Sequence, residues 1–241
     1  MKNKDYSSTI FRNHYLLILL GLVLIFSSCR DENRGREVDD PIQMDGATDT
    51  ISRQQVEIRN FTGEIAALNI EANAGIEVTG TVNLRVEGGL MRIVVTAEGL
   101  SPDMMHMQHL QTSETAETGC PGQDADANND GIVDVTEISG IERGIYTIPL
   151  HMGPSSLEIN VDTYPRTNVN GELQYQRTLS LDSLRVAVQK EYGMQEVDFT
   201  KFSYVIQGVA QDADIPQSVR SVSEVDTYAS IPVGCADLEE Q

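Results

Sequence analysis

The stretch Val78-Thr-Gly-Thr-Val-Asn-Leu-Arg-Val-Glu-Gly-Gly-Leu-Met-Arg-Ile-Val-Val-Thr-Ala-Glu-Gly-Leu100 decides the fold. Val78, Gly80, Val82, Leu84 and Val86 alternate with Thr79, Thr81, Asn83, Arg85 and Glu87. A period of two sends alternate side chains to opposite faces, which is the pattern of a half-buried strand. Gly88-Gly89 follows and fits a two-residue hairpin turn, where both central residues need positive φ. Leu90 to Ala97 is the return strand, rich in the β-branched residues Ile93, Val94, Val95 and Thr96. Glu98-Gly99-Leu100-Ser101-Pro102 ends it.

The same reading extends outward from this hairpin. Residues 55–65, with Ile70, give one or two further strands. Short apolar runs at 145–150 and 157–161 are separated by Gly153-Pro154. Asn170-Gly171 marks another tight turn, with the stretch 173–181 after it. Asp182 is placed to cap a short helix over 183–192, which Gly193 ends. Residues 202–209 form a strand and 229–233 a last one. Many short strands with turn residues between them predict an all-β domain, a Greek-key β-sandwich or barrel with one short helix and a long loop insertion.

That insertion carries the sharpest motif. Asp126-Ala-Asn128-Asn129-Asp130-Gly131-Ile132-Val133-Asp134-Val135-Thr136-Glu137 matches the spacing of an EF-hand calcium loop. Asp126, Asn128 and Asp130 supply side-chain oxygens at loop positions 1, 3 and 5. Gly131 stands where the chain turns sharply, and Ile132 offers its backbone carbonyl. Asp134 binds directly or through water, and Glu137 chelates with both oxygens. A hard cation such as Ca²⁺ takes six to eight oxygens of this kind. The competing reading is an acidic surface turn that binds nothing.

The N-terminus reads as a targeting segment. Lys2, Lys4 and Arg12 precede an apolar run at 15–26, which is shorter than an ordinary membrane-spanning helix and ends at Ser27-Ser28-Cys29. The arrangement resembles a bacterial lipobox, in which Cys29 is acylated. The expected organisation is a lipoprotein signal peptide over 1–28, a flexible acidic tether over 29–53 and the β-domain over 54–241. Lipid on Cys29 would hold the chain to a membrane of the bacterial cell envelope. Arg30 after Cys29, in place of an Asp retention signal, favours the outer membrane. Cys120 and Cys235 remain as an even pair in an oxidising compartment, either bridged or as two free thiols.

Composition excludes some functions. With 37 acidic against 17 basic residues the formal net charge is −20, which argues against nucleic acid as a partner. Aromatic residues make up 5% of the chain and Trp is absent, which disfavours stacked sugar or base platforms. There is no Gly-x-Ser-x-Gly elbow and no His-Glu-x-x-His zinc motif, so the sequence points away from an enzyme.

Taken in order, the hairpin, Gly99-Leu100-Ser101-Pro102, His106, His109, Cys120-Pro121, the acidic loop, Ile148-Pro149-Leu150 and Pro232-Val233-Gly234-Cys235 resemble the CHRD domain, a family named for chordin and widespread in bacterial exported proteins. The resemblance covers residues 54–238. It implies a β-sandwich shared with the Cu,Zn superoxide dismutases and sets no biochemical activity. Two departures bear on function. Where the pattern continues His-x-His-Gly, this chain has His109-Leu110-Gln111-Thr112. Where a late strand ends His-Gly, it has Ile206-Gln207-Gly208. His14 lies in the signal segment, and His106, His109 and His151 are too few for a paired copper and zinc centre. The resemblance therefore implies fold and not dismutase-like redox chemistry.

One further cluster has metal-ligand chemistry. Met105, His106, Met107 and His109 bring thioether and imidazole close together, a combination that suits Cu(I). On a strand, Met105, Met107 and His109 share one face and His106 the other. Ordinary packing by Met competes with this reading. The leading expectation is a calcium-binding envelope module that meets a protein or glycan ligand or serves structurally, with a copper-binding or redox protein as the alternative.

Overall fold

The computed structural model describes residues 57–113, 119–138, 145–153, 157–222 and 225–241, all within one compact unit, Ser52–Gln241. The signal segment and the whole tether, Cys29 included, lie outside the described residues. Among the described residues nine strands run in chain order: β1 (Ile58–Ala67), β2 (Thr79–Glu87), β3 (Leu90–Glu98), β4 (Met107–Ser113), β5 (Ile145–Pro149), β6 (Leu173–Ser180), β7 (Ser203–Gln207), β8 (Pro232–Asp237) and β9 (Glu239–Glu240). Among the described residues three α-helices accompany them: α1 (Val135–Ile138), α2 (Leu181–Tyr192) and α3 (Thr227–Ser230).

The hairpin forms as its pattern requires. β2 pairs antiparallel with β3, Val82 opposite Val95 and Leu84 opposite Ile93. Gly88 and Gly89 have φ of +58° and +79°, the primed-turn conformation that matches the right-handed twist of the strands. Val82, Leu84, Met91, Ile93 and Val95 are all buried on one face. Burying each such side chain contributes about 1.5–3 kcal/mol relative to exposure.

The chain is all-β. Its antiparallel sheet has the order β5-β4-β7-β8-β1-β2-β3-β6, with β9 paired to β1. β1 joins the two halves, since its first eight residues pair with β2 while Ala66 and Ala67 pair with β8. Phe61, Leu84, Ile93 and Tyr175 from one half share a single core with Leu110, Ile148, Tyr204 and Val233 from the other. The sheet is therefore curled, and the halves face each other across that core. The links β3 to β4, β5 to β6 and β6 to β7 join strands that are not neighbours, which is Greek-key connectivity.

Several boundaries differ from the sequence reading. α2 begins at Leu181, and its cap is Ser180, whose hydroxyl accepts the Ser183 N–H at 3.3 Å. Asp182 instead sits in the first turn. Gly193 ends the helix in the left-handed conformation, as expected. The run at 157–161 makes no strand and leads into a 3₁₀ turn, Val161–Thr163. The last long strand begins at Pro232, because Thr227–Ser230 is helical, and it continues to Asp237.

Candidate metal loop and the neighbouring pocket

The loop 126–137 is organised by its own acids. The Asp126 carboxylate accepts the N–H groups of Asp130 at 3.2 Å and Gly131 at 2.8 Å. Asn128 Oδ1 also accepts from Asp130 N at 2.8 Å, and Asp130 Oδ1 accepts from Ile132 N at 3.0 Å. Glu137 closes the loop end to start: Oε1 accepts from Ala127 N at 2.9 Å and Asn128 N at 3.2 Å, while Oε2 accepts from Asp134 N at 2.9 Å. Gly131 has φ +91°, the sharp turn its position demands.

Asp134 plays a different part. It is buried, and its Oδ1 accepts from Thr136 N, Thr136 Oγ1 and Glu137 N, which caps α1. Its Oδ2 accepts from Arg220 N at 2.7 Å. With four donors around it, Asp134 is a structural post for the loop.

Three contacts hold the loop to the domain, and the sequence signalled only the last of them. Asn69, 2% exposed, donates from Nδ2 to the carbonyls of Val133 and Pro232 and accepts from Val133 N on Oδ1, all within 2.8–2.9 Å. Ser218 Oγ donates to Asp130 Oδ2 at 2.6 Å. Cys120 and Cys235 form a disulfide with Cα atoms 5.6 Å apart, so the bridged reading of that pair holds. Burial raises the Asp130 pKa, but the Ser218 hydroxyl, the Ile132 N–H and the Asn128 side chain together outweigh it and leave the carboxyl below its usual value.

The donor set of Asp126, Asn128, Asp130, Glu137 and the Ile132 carbonyl is all oxygen, and its chemistry fits a hard cation. The carboxylates are turned toward backbone N–H groups. Among the described residues, no three His, Cys, Asp or Glu side chains are grouped to share a metal ion.

The Met/His cluster is divided by the sheet. His106 is fully buried just before β4, with Nδ1 3.1 Å from the Gln207 carbonyl and Nε2 3.0 Å from the Ser101 carbonyl. Both ring nitrogens are thereby engaged. Burial pushes its pKa down, against the two carbonyls, which pull it up. His109 points to the opposite, outer face. Its Nε2 lies 3.3 Å from Gln111 Oε1, and desolvation pushes its pKa down to about 4. Met105 makes an isolated bridge to Arg166. The structure thus brings Met107 together with His109 and keeps His106 apart from both.

His109 and Met107 line a pocket of about 360 Å³ over the outer face of β4, β5 and β7. Gln111 and Gln207, the two departures from the histidine pattern, line it as well. Val135 and Ile138 of α1 form one wall, and Tyr146, Tyr164 and Tyr192 contribute aromatic surface.

No protein-family model matches the chain, and no curated protein matches it in sequence. Solved structures do. A double mutant of a SOD-like protein from Bacillus subtilis matches with a TM-score of 0.36 and 8% identity, over 73% of this chain and 94% of that one. A single mutant of a SOD-like protein from Bacillus subtilis gives 0.35 and 11%, over 73% and 95%.

Proposed function

We propose that this is a lipid-anchored protein of the bacterial cell envelope whose CHRD-like domain binds one Ca²⁺ in the loop 126–137. In this reading it serves as a binding or structural module and not as an enzyme. The observation that carries it is the loop's internal order. Asp126, Asn128, Asp130 and Glu137 fall at their calcium-loop positions, and the turn at Gly131 has the conformation that motif requires. The disulfide suits an exported chain. Five side-chain acids fall within residues 124–137, and their mutual repulsion is the cost that a cation would offset. A protein or glycan surface is the proposed partner, because loops on a rigid scaffold commonly carry recognition.

The test is thermal unfolding of the full chain in calcium and in chelator. At a calcium concentration one hundred times Kd, binding adds about 2.7 kcal/mol to stability. For a domain of this size that raises Tm by about 5–10 °C. Glu137→Gln removes an anionic ligand and should lose most of the shift. Equal melting points in calcium and chelator would end the calcium reading.

A further inference from the structure

We propose that the pocket over the outer face of β4, β5 and β7 is a binding site for an uncharged, ring-containing small molecule that presents an amide edge. This proposal does not depend on cation binding by the loop. Its volume of about 360 Å³ falls in the range of small-ligand sites, roughly 300–1,000 Å³.

Charge selects the class of ligand. The chain carries 37 Asp and Glu residues, yet none of the described pocket-lining residues is Asp, Glu, Lys or Arg. An ionised ligand would lose its hydration there and gain no counter-ion, a cost of several kcal/mol. The described lining therefore favours an uncharged ligand.

Two glutamine side chains supply the specificity. Gln207 is only 3% exposed and lines the pocket, and its side-chain amide has no hydrogen-bond partner among the described residues. The amide keeps contact with solvent in the pocket, since it is not among the fully buried polar atoms left without a partner in the described residues, so a ligand that hydrogen-bonds to it gains the net contribution of about 0.5–1.5 kcal/mol. Gln111, 5% exposed, gives its Oε1 to His109 Nε2, so its NH₂ group is not committed to that contact, and the residue lines the same pocket. Because Oε1 only accepts, His109 carries its proton on Nε2, and its Nδ1 is an acceptor. The pocket thus offers two NH₂ donors and two acceptors, Gln207 Oε1 and His109 Nδ1. A ligand with an N–H beside a C=O matches this arrangement.

The walls favour a ring. Tyr146 and Tyr192 meet at a centroid separation of 5.0 Å with their rings tilted by 54°, and Tyr164 and Met107 also line the space. Aromatic faces and a thioether both prefer a flat partner.

Benzamide, benzoate and toluene provide the test, since they share one ring and differ in its substituent. Each is titrated into the full chain by NMR, reading the side-chain NH₂ resonances of Gln111 and Gln207. Benzamide should bind in about the millimolar range, as expected of a fragment, and shift both resonances. Benzoate should bind at least tenfold more weakly. Gln207→Leu, which keeps the side-chain bulk, should weaken benzamide about two- to tenfold and leave toluene unchanged. The wild-type shifts carry the same test should that variant fail to fold. The proposal is overturned if benzamide leaves the two resonances unmoved, if benzoate binds as tightly as benzamide, or if toluene binds as tightly as benzamide.

Discussion

Replacing Asn69 should uncouple the acidic loop from the domain. Its side chain makes three hydrogen bonds to backbone groups 64 and 163 residues away, and Val133, its main partner, is fully buried. Asn69→Gly leaves Val133 N–H, Val133 C=O and Pro232 C=O without that partner. Each orphaned buried group costs about 1–3 kcal/mol. Asn69 borders a surface cleft shared with Gly131 and Cys120, so water can reach part of the gap. The expected loss is therefore near the lower end, about 3–5 kcal/mol. Asn69 also has φ +48°, which asparagine tolerates and alanine does not. Asn69→Ala should cost about 1 kcal/mol more than Asn69→Gly. Urea unfolding of the full chain measures both, and hydrogen exchange at the Val133 amide gives the local readout. A loss below 1 kcal/mol for both variants, with Val133 still protected, would refute the latch. Equal losses for Ala and Gly would refute the strain.

Removing the disulfide as Cys120→Ser/Cys235→Ser opens a loop of 115 residues, for which chain entropy alone predicts a loss of about 4–5 kcal/mol. An unfolding midpoint equal to that of the oxidised parent would contradict this. Ser180→Ala should cost α2 about 1 kcal/mol and Asp182→Ala much less, because Ser180 holds the capping bond. Denaturant midpoints of the two variants would show whether the order is reversed. Burial depresses His109 to about 4, and His106 shifts in the same direction. Between pH 6.5 and 4 the unfolded chain therefore binds protons that the folded chain refuses. Stability is complete above about pH 6.5 and falls on acidification, by at most about 1.4 kcal/mol per pH unit for each histidine. His109→Phe should flatten part of that slope, and an unchanged slope would count against the desolvated ring.

The hairpin was legible because both of its signals are local, a period of two and two adjacent glycines. The register of the acidic loop was legible for a similar reason, since its residues lie at fixed spacings within twelve positions. The failures are non-local or lack apolar contrast. β8 runs through Gly234 and Ala236, which are buried against the core but too small to read as a strand. Ala229 looked like the start of that strand, yet it belongs to α3. Asp182 looked like the cap because it is acidic and near the helix start, whereas Leu181 is already helical and packs in the core. Asn69 gave no sign of its role, because its partners are distant in sequence. Gln111 and Gln207 could be noticed only as departures from a histidine pattern. That the two glutamines share one pocket with His109 follows from the pairing of β4 with β7, which no local pattern encodes.

α1 is the element at which loop and pocket meet. Its four residues, with the cap before them, divide by direction. Asp134 and Glu137 turn to the loop, one as a cap and the other as its closing carboxylate. Val135 and Ile138 turn to the pocket and are buried there. So short a helix cannot hold its place by its own hydrogen bonds, because nucleation costs more than one turn returns. Its position is set from the two sides. Whatever fixes the Glu137 carboxylate, a backbone N–H or a cation, also fixes the wall that a ligand would touch. By linkage, a ligand pressing on Val135 and Ile138 would alter the loop's affinity for a cation by the same factor that the cation alters the ligand's.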